Sequence, residues 1–303
     1  MATYQDLFLD LRSKLSKANI EAVELNAREL IAFAAGKTTE EFVRDRQLFA
    51  PAETVKRAND LCDRRVRGEP LAYILGEWDF YGLTLRITPD VLIPRMDTEV
   101  LSDWVINILR AGTDGKFRFL DLCTGSGCIG LSIANAFPNC RGVLLDVSEK
   151  AVELAGENAK NLGLNDRLIA VSGDVCKAPD MNFLGSFDVI VSNPPYITRD
   201  EMAELDRSVR DFEPQGALFG GNDGLHFYRA IVNDWLKLLK PGGFIAFECG
   251  YRQATDVGRL LKNAGCTGIK IVEDTAGIPR VVSAFAPEDI KTNDISEGNQ
   301  DEC

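Results

Sequence analysis

The chain has 303 residues, of which 45% are hydrophobic and 26% charged, and its net charge is −12 at pH 7. This length allows one large domain and a smaller one, with the composition of an ordinary globular protein. An acidic chain disfavours non-specific binding to nucleic acid, which depends on Lys and Arg neutralising phosphates. No apolar segment approaches the ~18 residues of a transmembrane helix, and the N-terminus lacks a signal or transit pattern, so a cytoplasmic protein is expected.

Eight cysteines are spread along the chain without a Cys-x-x-Cys pair. They are therefore expected to be free thiols in a reducing compartment. His226 is the only histidine, and no ligand spacing surrounds it, so no metal site is expected. His226 itself is interpreted as an ordinary helix residue and not as a catalyst.

Residues 1–75 are predicted to form a small helical domain. Apolar residues recur at helical spacing over residues 4–15 and 23–34, and Gly36 follows the second pattern as a C-cap would. A third helix is expected from Pro51, which suits a first turn, to about Arg67. Because no catalytic constellation is found here, the domain is interpreted as a unit for docking or stability.

Residues 76–112 are predicted to form a β-hairpin and a linker. Apolar residues alternate on both sides of Tyr81-Gly82, which is typical of two short strands joined by a tight turn. A helix is expected after Arg95, with Asp97 or Thr98 near its start.

Residues 113–286 contain alternating strand-like and helix-like segments, which predicts an α/β domain with a doubly wound, mainly parallel sheet. The expected helices span residues 127–137, 149–162, 224–239 and 252–264. The expected strands span residues 117–122, 141–146, 167–172, 187–192, 243–248, 268–273 and 280–285. Residues 287–303 are expected to form a disordered acidic tail.

Four polar residues fall at or just after predicted strand ends: Asp121, Asp146, Asp174 and Asn193. Ligands of doubly wound sheets bind at the carboxyl ends of the strands, near the point where the strand order reverses. We therefore expect these four side chains to lie around one binding site.

A glycine-rich loop follows the first of these strands. Gly125, Gly127 and Gly130 fit the pattern Gly-x-Gly-x-x-Gly, and Asp146 lies about 20 residues beyond, which is also the fingerprint of a dinucleotide site. Asp146 would hold a ribose diol whether the ligand is NAD or S-adenosylmethionine.

Two acids favour S-adenosylmethionine over NAD. Asp121 precedes the glycine loop, where dinucleotide folds usually place an apolar residue, and an acid there could support a methionine ammonium. Asp174 follows the predicted strand at residues 167–172 and could bind an adenine amino group.

The sequence Asn193-Pro194-Pro195-Tyr196 follows the apolar run at residues 187–192. Each proline fixes its own φ and lacks an N–H, and the residue before a proline avoids the helical region, so this corner is rigid. Nothing local competes for the Asn193 side chain or the Pro194 carbonyl, whose oxygens suit the two hydrogens of a planar –NH2 group. With the glycine loop, the corner predicts a methyltransferase that acts on an amino or amide nitrogen.

Each of these residues also has a purely structural interpretation. The glycines of the loop could make only a tight turn, and Asp146 and Asp174 could be helix N-caps. Asn193 could be a turn residue, and Tyr196 could serve packing alone.

Seven sequence segments between residues 68 and 285 match one known family. They are Gly68–Glu77, Val91–Glu99, Asp121–Gly127, Val191–Ile197, Glu213-Pro214, Ala217–Gly221 and Asp223-Gly224. With them the chain resembles the HemK/PrmC-type glutamine methyltransferases that modify peptide chain release factors. The Leu-Ile-Pro-Arg and Leu-Phe-Gly-Gly blocks are the most specific, since Asn-Pro-Pro-Tyr is shared with adenine and guanine amino methyltransferases. Met96 and Cys123 depart from the family, which has a proline and frequently a glycine there.

The resemblance implies a Rossmann-like class I methyltransferase sheet that binds S-adenosylmethionine. With the arguments above, the expected cofactor-binding residues are Asp121, Cys123, Thr124, Gly125, Ser126, Gly127, Asp146, Asp174, Val175 and Asn193. The expected substrate-binding residues are Asn193, Pro194, Pro195 and Tyr196. Arg95, Thr98 and Glu99 are expected either to shape the pocket or to form a helix entry with a surface ion pair.

The substrate implied by the resemblance is the glutamine of a Gly-Gly-Gln loop in a release factor, which places the activity in translation termination. Asn193, Pro194 and Tyr196 are the expected catalytic residues: the first two accept the N–H bonds of the amide, and Tyr196 packs against the substrate side chain. A monomer without a nucleic-acid or membrane partner is expected. The alternatives are a nucleic-acid amino methyltransferase, which predicts a basic face, and a ligand-binding module with a degenerate site, which the intact Asn-Pro-Pro-Tyr disfavours.

Overall fold

The computed structural model describes residues 2–288, and the predicted acidic tail lies outside them except for residues 287 and 288. The chain begins with five helices. They are α1 (Tyr4–Lys17), α2 (Val23–Ala35), α3 (Thr39–Arg44), α4 (Ala52–Val66) and α5 (Leu71–Leu75). The three predicted helices are α1, α2 and α4, whereas α3 and α5 are shorter than two turns and leave no periodic pattern.

Capping side chains determine where two of these helices begin. Thr3 and Thr38 each accept the N–H of the third helical residue, Asp6 or Glu41, whose carboxylate accepts the threonine N–H in return. The apolar sides of the helices pack into a cluster of their own. Its fully buried members include Leu11, Leu15, Leu30, Ile31 and Phe42.

The predicted hairpin is present. Its strands are β1 (Glu77–Phe80) and β2 (Leu83–Arg86). The turn residues Tyr81 and Gly82 have φ values of 49° and 76°, which a two-residue turn matched to the strand twist requires. The Tyr81 N–H donates to the Glu99 carboxylate at 2.8 Å and so fixes the hairpin to helix α6 (Met96–Gly112).

A seven-stranded sheet forms the centre of the remaining chain. Its strands are β3 (Arg118–Leu122), β4 (Arg141–Asp146), β5 (Leu168–Ser172), β6 (Phe187–Ser192), β7 (Leu239–Glu248), β8 (Thr267–Glu273) and β9 (Pro279–Phe285). Their order is β5-β4-β3-β6-β7-β9-β8, with β5 through β7 parallel and β9 antiparallel to β7 and β8. The predicted doubly wound, mainly parallel sheet is thus confirmed.

Helices cover this sheet, and buried side chains form two further clusters against it. The helices are α7 (Cys128–Ala136), α8 (Glu149–Asn161), α9 (Met181–Leu184), α10 (Arg199–Glu204), α11 (Arg207–Arg210), α12 (His226–Ala230) and α13 (Ala254–Asn263). One cluster contains residues of α6, α7 and α8, and the other contains residues of α12 and α13.

The single helix expected over residues 224–239 is wrong. This segment is divided into α12, a π-helical turn (Ile231–Trp235), a 3-10 turn (Leu236–Leu238) and the start of β7. The indole N–H of Trp235 donates to the carbonyls of Val175 and Lys177, at 2.9 Å and 3.1 Å. These hydrogen bonds to a distant loop accompany the irregular turn. The spacing of apolar residues in the sequence does not predict them.

Four further features can be compared with the sequence: the cysteines, clusters of metal-ligating residues, His226 and membrane-spanning helices. The seven cysteines within residues 2–288 are free thiols, and no three metal-ligating side chains in this range come together as a metal site. His226 lies on α12, with its Nε2 atom 3.3 Å from the Cys176 sulfur. No helix in the described part of the chain is both long and apolar enough to cross a membrane.

Candidate active site

A cavity lies at the carboxyl ends of β3, β4, β5 and β6, where the strand order reverses between β3 and β6. In doubly wound sheets ligands bind at this position. The residues that line it after these strands are Cys123, Thr124, Gly125, Ser126, Asp146, Val147, Ser148, Gly173, Asp174, Val175, Asn193 and Pro195. Three of the four polar residues predicted to surround one site therefore do so, and the fourth, Asp121, lies behind the cavity wall.

The loop after β3 bends sharply at the cavity. Cys123 and Gly125 have φ values of 58° and 55°, and no atom lies within 4 Å of the place where a Cβ on Gly125 would stand. The Gly125 N–H donates to Asp146 Oδ2 at 2.9 Å and joins the loop to the end of β4. The open space over Gly125 allows a ligand to approach the backbone closely, which a tight turn alone does not require.

Asp121 is fully buried and shapes the glycine loop from behind. Its Oδ2 accepts the Thr124 hydroxyl at 2.6 Å and the Gly130 N–H at 3.0 Å, whereas Oδ1 has no partner within residues 2–288. Burial raises the pKa of Asp121 to about 7. In this position the carboxyl fixes the loop against α7, and its contact with a methionine ammonium stays a prediction.

Asp146 and Asp174 line the cavity from the ends of β4 and β5. Asp146 Oδ1 accepts the Ser148 N–H at 3.0 Å, and Asp174 Oδ1 accepts the Cys176 N–H at 2.9 Å. Ser148 is the N-cap of α8, because its hydroxyl accepts the Ala151 N–H, so the N-cap interpretation of Asp146 is wrong. Burial raises the pKa of Asp146, and its ionised form is stabilised by a ligand that donates hydrogen bonds.

The corner after β6 contains two oxygen atoms that have no donor within residues 2–288. Of the two predicted acceptor residues, Asn193 lines the cavity, whereas Pro194 is buried and is not one of the lining residues. The Nδ2 atom of Asn193 donates to the Thr98 hydroxyl at 3.2 Å. Within the described residues no donor is bonded to the Asn193 side-chain oxygen or to the Pro194 carbonyl. Thr98 is 95 residues away in sequence, so a distant residue does engage the Asn193 side chain, but only through its nitrogen.

Tyr196 directs its hydroxyl away from the cavity and donates to Glu248 Oε1 at 3.3 Å. Glu248 ends β7 and is 1% exposed, and burial raises its pKa to about 7. The Tyr196 side chain thus has a polar partner in the protein interior. Its packing against a substrate stays a prediction.

A neighbouring loop fixes the backbone of this corner. The Ile197 N–H donates to the Leu218 carbonyl, and the Gly220 N–H donates to the Ile197 carbonyl, both at 2.9 Å. A Cβ on Gly220 would stand 2.5 Å from the Tyr196 Cα, so the loop needs glycine to pack this closely. Gln253 adds a third link, because its Nε2 donates to the Tyr196 carbonyl at 2.9 Å.

Residues between 90 and 98 and between 214 and 217 form a further wall of the cavity. The Glu213 carboxylate joins the two segments: it accepts the Ile93 N–H at 3.2 Å and pairs with the Arg95 guanidinium. The Glu213 side chain is 1% exposed and the Arg95 side chain 39%, so a charge-assisted contact to a buried carboxylate holds this wall in place.

Arg95, Thr98 and Glu99 were expected either to shape the pocket or to form a helix entry with a surface ion pair, and the structure gives each of them a different environment. Thr98 alone lines the cavity. Arg95 precedes α6 and pairs with a buried carboxylate rather than with a surface partner. Glu99 binds the hairpin turn, outside the cavity.

Two family models match the chain: the PrmC N-terminal domain over residues 6–76 and the methyltransferase small domain over residues 100–216. The release factor glutamine methyltransferase of Caulobacter vibrioides is 39% identical over 272 residues, which is 89% of this chain and 92% of that protein. The one from Clostridium acetobutylicum is 36% identical over 280 residues, which is 92% of this chain and 97% of that protein. The chain belongs to the release factor glutamine methyltransferase family.

Solved methyltransferases share the fold of this family member. A methyltransferase from Pyrococcus furiosus is 20% identical with a TM-score of 0.50, over 76% of this chain and 99% of that one. The hMettl16 catalytic domain, solved in complex with the MAT2A 3'UTR hairpin 6, is 17% identical with a TM-score of 0.56, over 76% and 83%. The predicted Rossmann-like methyltransferase sheet is thus confirmed.

Four residues that organise the site in this family member received no definite role from the sequence: Thr98, Glu213, Glu248 and Gln253. Thr98 and Glu213 lie in segments that carry the family resemblance. Glu248 is the last residue of a predicted strand, so the rule that singled out the other strand-end acids could have found it. Gln253 gives no sequence signal, because its role depends on a fold contact 57 residues away.

Proposed function

We propose that the protein transfers a methyl group from S-adenosylmethionine to the side-chain amide nitrogen of the glutamine in the Gly-Gly-Gln loop of a peptide chain release factor. The observation that carries this proposal is the pair of acceptors at the corner after β6, Asn193 Oδ1 and the Pro194 carbonyl, which have no protein donor within residues 2–288. A primary amide has two N–H bonds for such a pair. The names of the relatives supply glutamine and release factors as the substrate class.

The cavity residues fit S-adenosylmethionine. The Ser126 hydroxyl lines the cavity and is buried without a partner in the described chain, so it is ready for a polar ligand group. The Asp146 carboxylate suits a ribose diol, Asp174 suits an adenine amino group, and Val175 and Phe227 offer apolar contact. The cofactor, when bound, supplies a methyl group activated by a sulfonium. Family membership and the acceptor pair favour this cofactor over NAD.

The protein contributes positioning and electrostatics to the reaction. An amide nitrogen is a poor nucleophile because its lone pair is conjugated, as its rotation barrier of about 18–20 kcal/mol shows. Asn193 and Pro194 accept hydrogen bonds from the two N–H groups and stabilise the positive charge that develops on nitrogen. They also fix the direction of the nitrogen lone pair, and alignment of this kind can lower the activation barrier by ~7–11 kcal/mol. As the N–CH3 bond forms, one N–H bond breaks and its proton passes to water, so the product is a neutral N-methyl amide. The only histidine of the chain contacts Cys176, which leaves no imidazole base at this corner.

The helical domain at residues 1–75 has the proposed role of docking the release factor. Residues 76–112 connect it to the catalytic domain at residues 113–286, which we propose to act as a monomer. A substrate used in translation places the reaction in the cytoplasm. The net charge of −12 supports a protein rather than a nucleic acid as the direct partner.

Two measurements test the proposed function. Calorimetry is expected to show binding of S-adenosylmethionine and not of NAD; the reverse result would exclude the cofactor. Incubation with methyl-labelled S-adenosylmethionine and a release factor, tRNA or DNA in parallel is expected to label the release factor alone. Label on tRNA or DNA would favour the nucleic-acid amino methyltransferase instead.

A further inference from the structure

Helix α5 belongs to two hydrophobic cores of the molecule. It is the last element of the helical domain and directly precedes the hairpin. Leu71 and Ile74 pack in the cluster of the helical domain. Ala72 and Tyr73 pack instead in the cluster that contains residues of α6, α7 and α8. The segment Gly68–Glu77, which carries part of the family resemblance, therefore lies where the helical domain meets the catalytic domain.

Tyr73 joins this helix to the wall of the cavity that is formed by residues 90–98 and 214–217, which we call the linker wall. The Tyr73 hydroxyl donates to the Val91 carbonyl at 2.6 Å. Tyr73 is 6% exposed and Val91 is 2% exposed, and within residues 2–288 no other donor is bonded to this carbonyl. Because a buried carbonyl needs a partner, the position of this peptide group depends on Tyr73.

A second contact holds the linker wall one residue further along. The Glu213 carboxylate accepts the Ile93 N–H at 3.2 Å. The two peptide groups on either side of Leu92 are thus both held, one by Tyr73 and the other by Glu213. Leu92 lines the cavity between them. Loss of either contact frees this part of the wall to turn.

The end of the linker wall at Asp90 and Val91 stands beside the residues proposed to bind the cofactor. The Asp90 carboxylate pairs with Lys150 Nζ at 2.7 Å, and Lys150 lies in the first turn of α8. This helix begins shortly after Asp146 and Ser148, which line the same cavity as Asp90 and Val91. A displacement of this end of the wall therefore changes the space that is available to the cofactor.

We propose that Tyr73 is a positioning residue, through which the helical domain holds the linker wall in the arrangement that binds the cofactor. The helical domain thereby completes the cofactor cavity, in addition to its proposed docking role. The inference rests on the proposed function for the identity of the cofactor. Without the hydroxyl, the peptide group after Val91 is free to turn, and the linker wall occupies other arrangements as well. The apparent affinity for the cofactor then falls with the fraction of molecules that keep the competent arrangement.

The test compares Tyr73→Phe with Tyr4→Phe in the full-length protein. Tyr73→Phe removes one oxygen atom and is expected to raise the Kd of S-adenosylmethionine about 5- to 20-fold, as measured by calorimetry. At saturating cofactor, kcat is expected to stay within about twofold of the wild type, because the bound cofactor selects the competent arrangement. Tyr4→Phe is the matched control and should keep the wild-type Kd, because Tyr4 is a buried tyrosine of the same domain that packs against Phe42 in the helical cluster.

Urea denaturation of both variants gives their stability separately from their affinity for the cofactor. A merely structural role of Tyr73 would lower the stability of Tyr73→Phe and leave its Kd unchanged, and this result would overturn the proposal. An equal change of Kd in Tyr4→Phe, or a loss of kcat at saturating cofactor with the wild-type Kd, would overturn it as well. Failure of the proposed function is distinct, because the wild type itself would then bind NAD in place of S-adenosylmethionine or label nucleic acid.

Discussion

Asn193 is the residue on which the proposed mechanism depends most directly. Its side chain reaches the cavity from the end of a buried strand, and its nitrogen is occupied by Thr98 while its oxygen is not. Because Thr98 binds the side-chain nitrogen, only the side-chain oxygen of Asn193 is free to bind a ligand. Asn193 can therefore act as an acceptor alone, although its side chain contains both a donor and an acceptor.

Asn193→Ala is expected to bind S-adenosylmethionine within a few fold of the wild type and to lose most of its turnover. An N–H bond left without an acceptor costs ~1–3 kcal/mol, and misalignment of the nitrogen adds to this loss. Single-turnover methylation and calorimetry on the same preparation separate the two effects. Asn182→Ala, at an exposed position in α9, is the control. Near wild-type turnover in Asn193→Ala would remove this residue from the mechanism.

Asp121 gives the stability of the protein a dependence on pH. Its pKa is about 7 in the folded state, against an ordinary value of 3.8. Between these values the folded state holds a proton that the unfolded state has released, so the free energy of unfolding falls as the pH rises towards 7. Over the interval between the two pKa values, this effect lowers the free energy of unfolding by on the order of 4 kcal/mol.

Asp121→Asn stays neutral at every pH and should therefore lose less stability between pH 5 and pH 8 than the wild type. Urea denaturation at the two pH values measures the difference. Asp114→Asn removes an exposed carboxyl and should retain the wild-type dependence. A pH dependence in Asp121→Asn equal to that of the wild type would show that this carboxyl is ionised in the folded protein.

At the scale of elements, the site is assembled by loops that meet at one edge of the sheet. The loop around Gly220 packs against the backbone of the Asn193 corner, with a hypothetical Cβ 2.5 Å from the Tyr196 Cα and 2.6 Å from the Pro195 carbonyl oxygen. Both neighbours are backbone atoms, so no side-chain rotation can relieve the contact. The corner must move if this glycine is replaced.

Gly220→Ala is expected to destabilise the protein by about 1–3 kcal/mol and to lower turnover at least tenfold. Gly156→Ala is the matched control, because Gly156 lies inside α8 and its Cβ would meet only Ala170 at 3.8 Å. That change should stabilise the protein by ~0.5–1 kcal/mol. Denaturation and kcat measured for both variants test the packing argument, which an unaffected Gly220→Ala would contradict.

The sequence predicted the sheet, most long helices and the site's strand-end residues, because these depend on local apolar periods and on the parallel topology. It did not predict the π-helical turn before β7, since that turn coincides with bonds from Trp235 to a distant loop. It also missed that Thr98 binds the Asn193 side chain and that Glu248 binds the Tyr196 hydroxyl, because these contacts join separate elements that meet only in the fold. Asp121 was recognised as important, but only the structure places it behind the cavity wall.

At the scale of the whole molecule, specificity must come from contacts far from the reacting nitrogen. A glutamine side chain offers two N–H bonds and a short apolar stem, which is too little for selective capture among other proteins. We propose that the helical domain at residues 1–75, whose sequence carries no catalytic constellation, provides the surface for such contacts. Binding energy from that surface can orient the amide at the Asn193 corner.

An intact release factor is therefore expected to give a kcat/KM at least about 100-fold higher than a short peptide with the same Gly-Gly-Gln sequence. The peptide contains the same reacting glutamine but lacks the rest of the release factor. Initial rates with both substrates give the two kcat/KM values, whose ratio measures the effect of contacts outside the Gly-Gly-Gln sequence. Equal values would show that the site recognises the glutamine alone and that the helical domain has no docking role.

The most direct test of the central claim is to locate the transferred methyl group. Wild-type protein is incubated with S-adenosylmethionine and a release factor, and the digested product is analysed by fragmentation mass spectrometry, with Asn193→Ala in parallel. We expect one added methyl on the side-chain nitrogen of the glutamine in Gly-Gly-Gln with the wild type, and little or none with the variant. A methyl group on another residue of the release factor, or equal modification by Asn193→Ala, would contradict it.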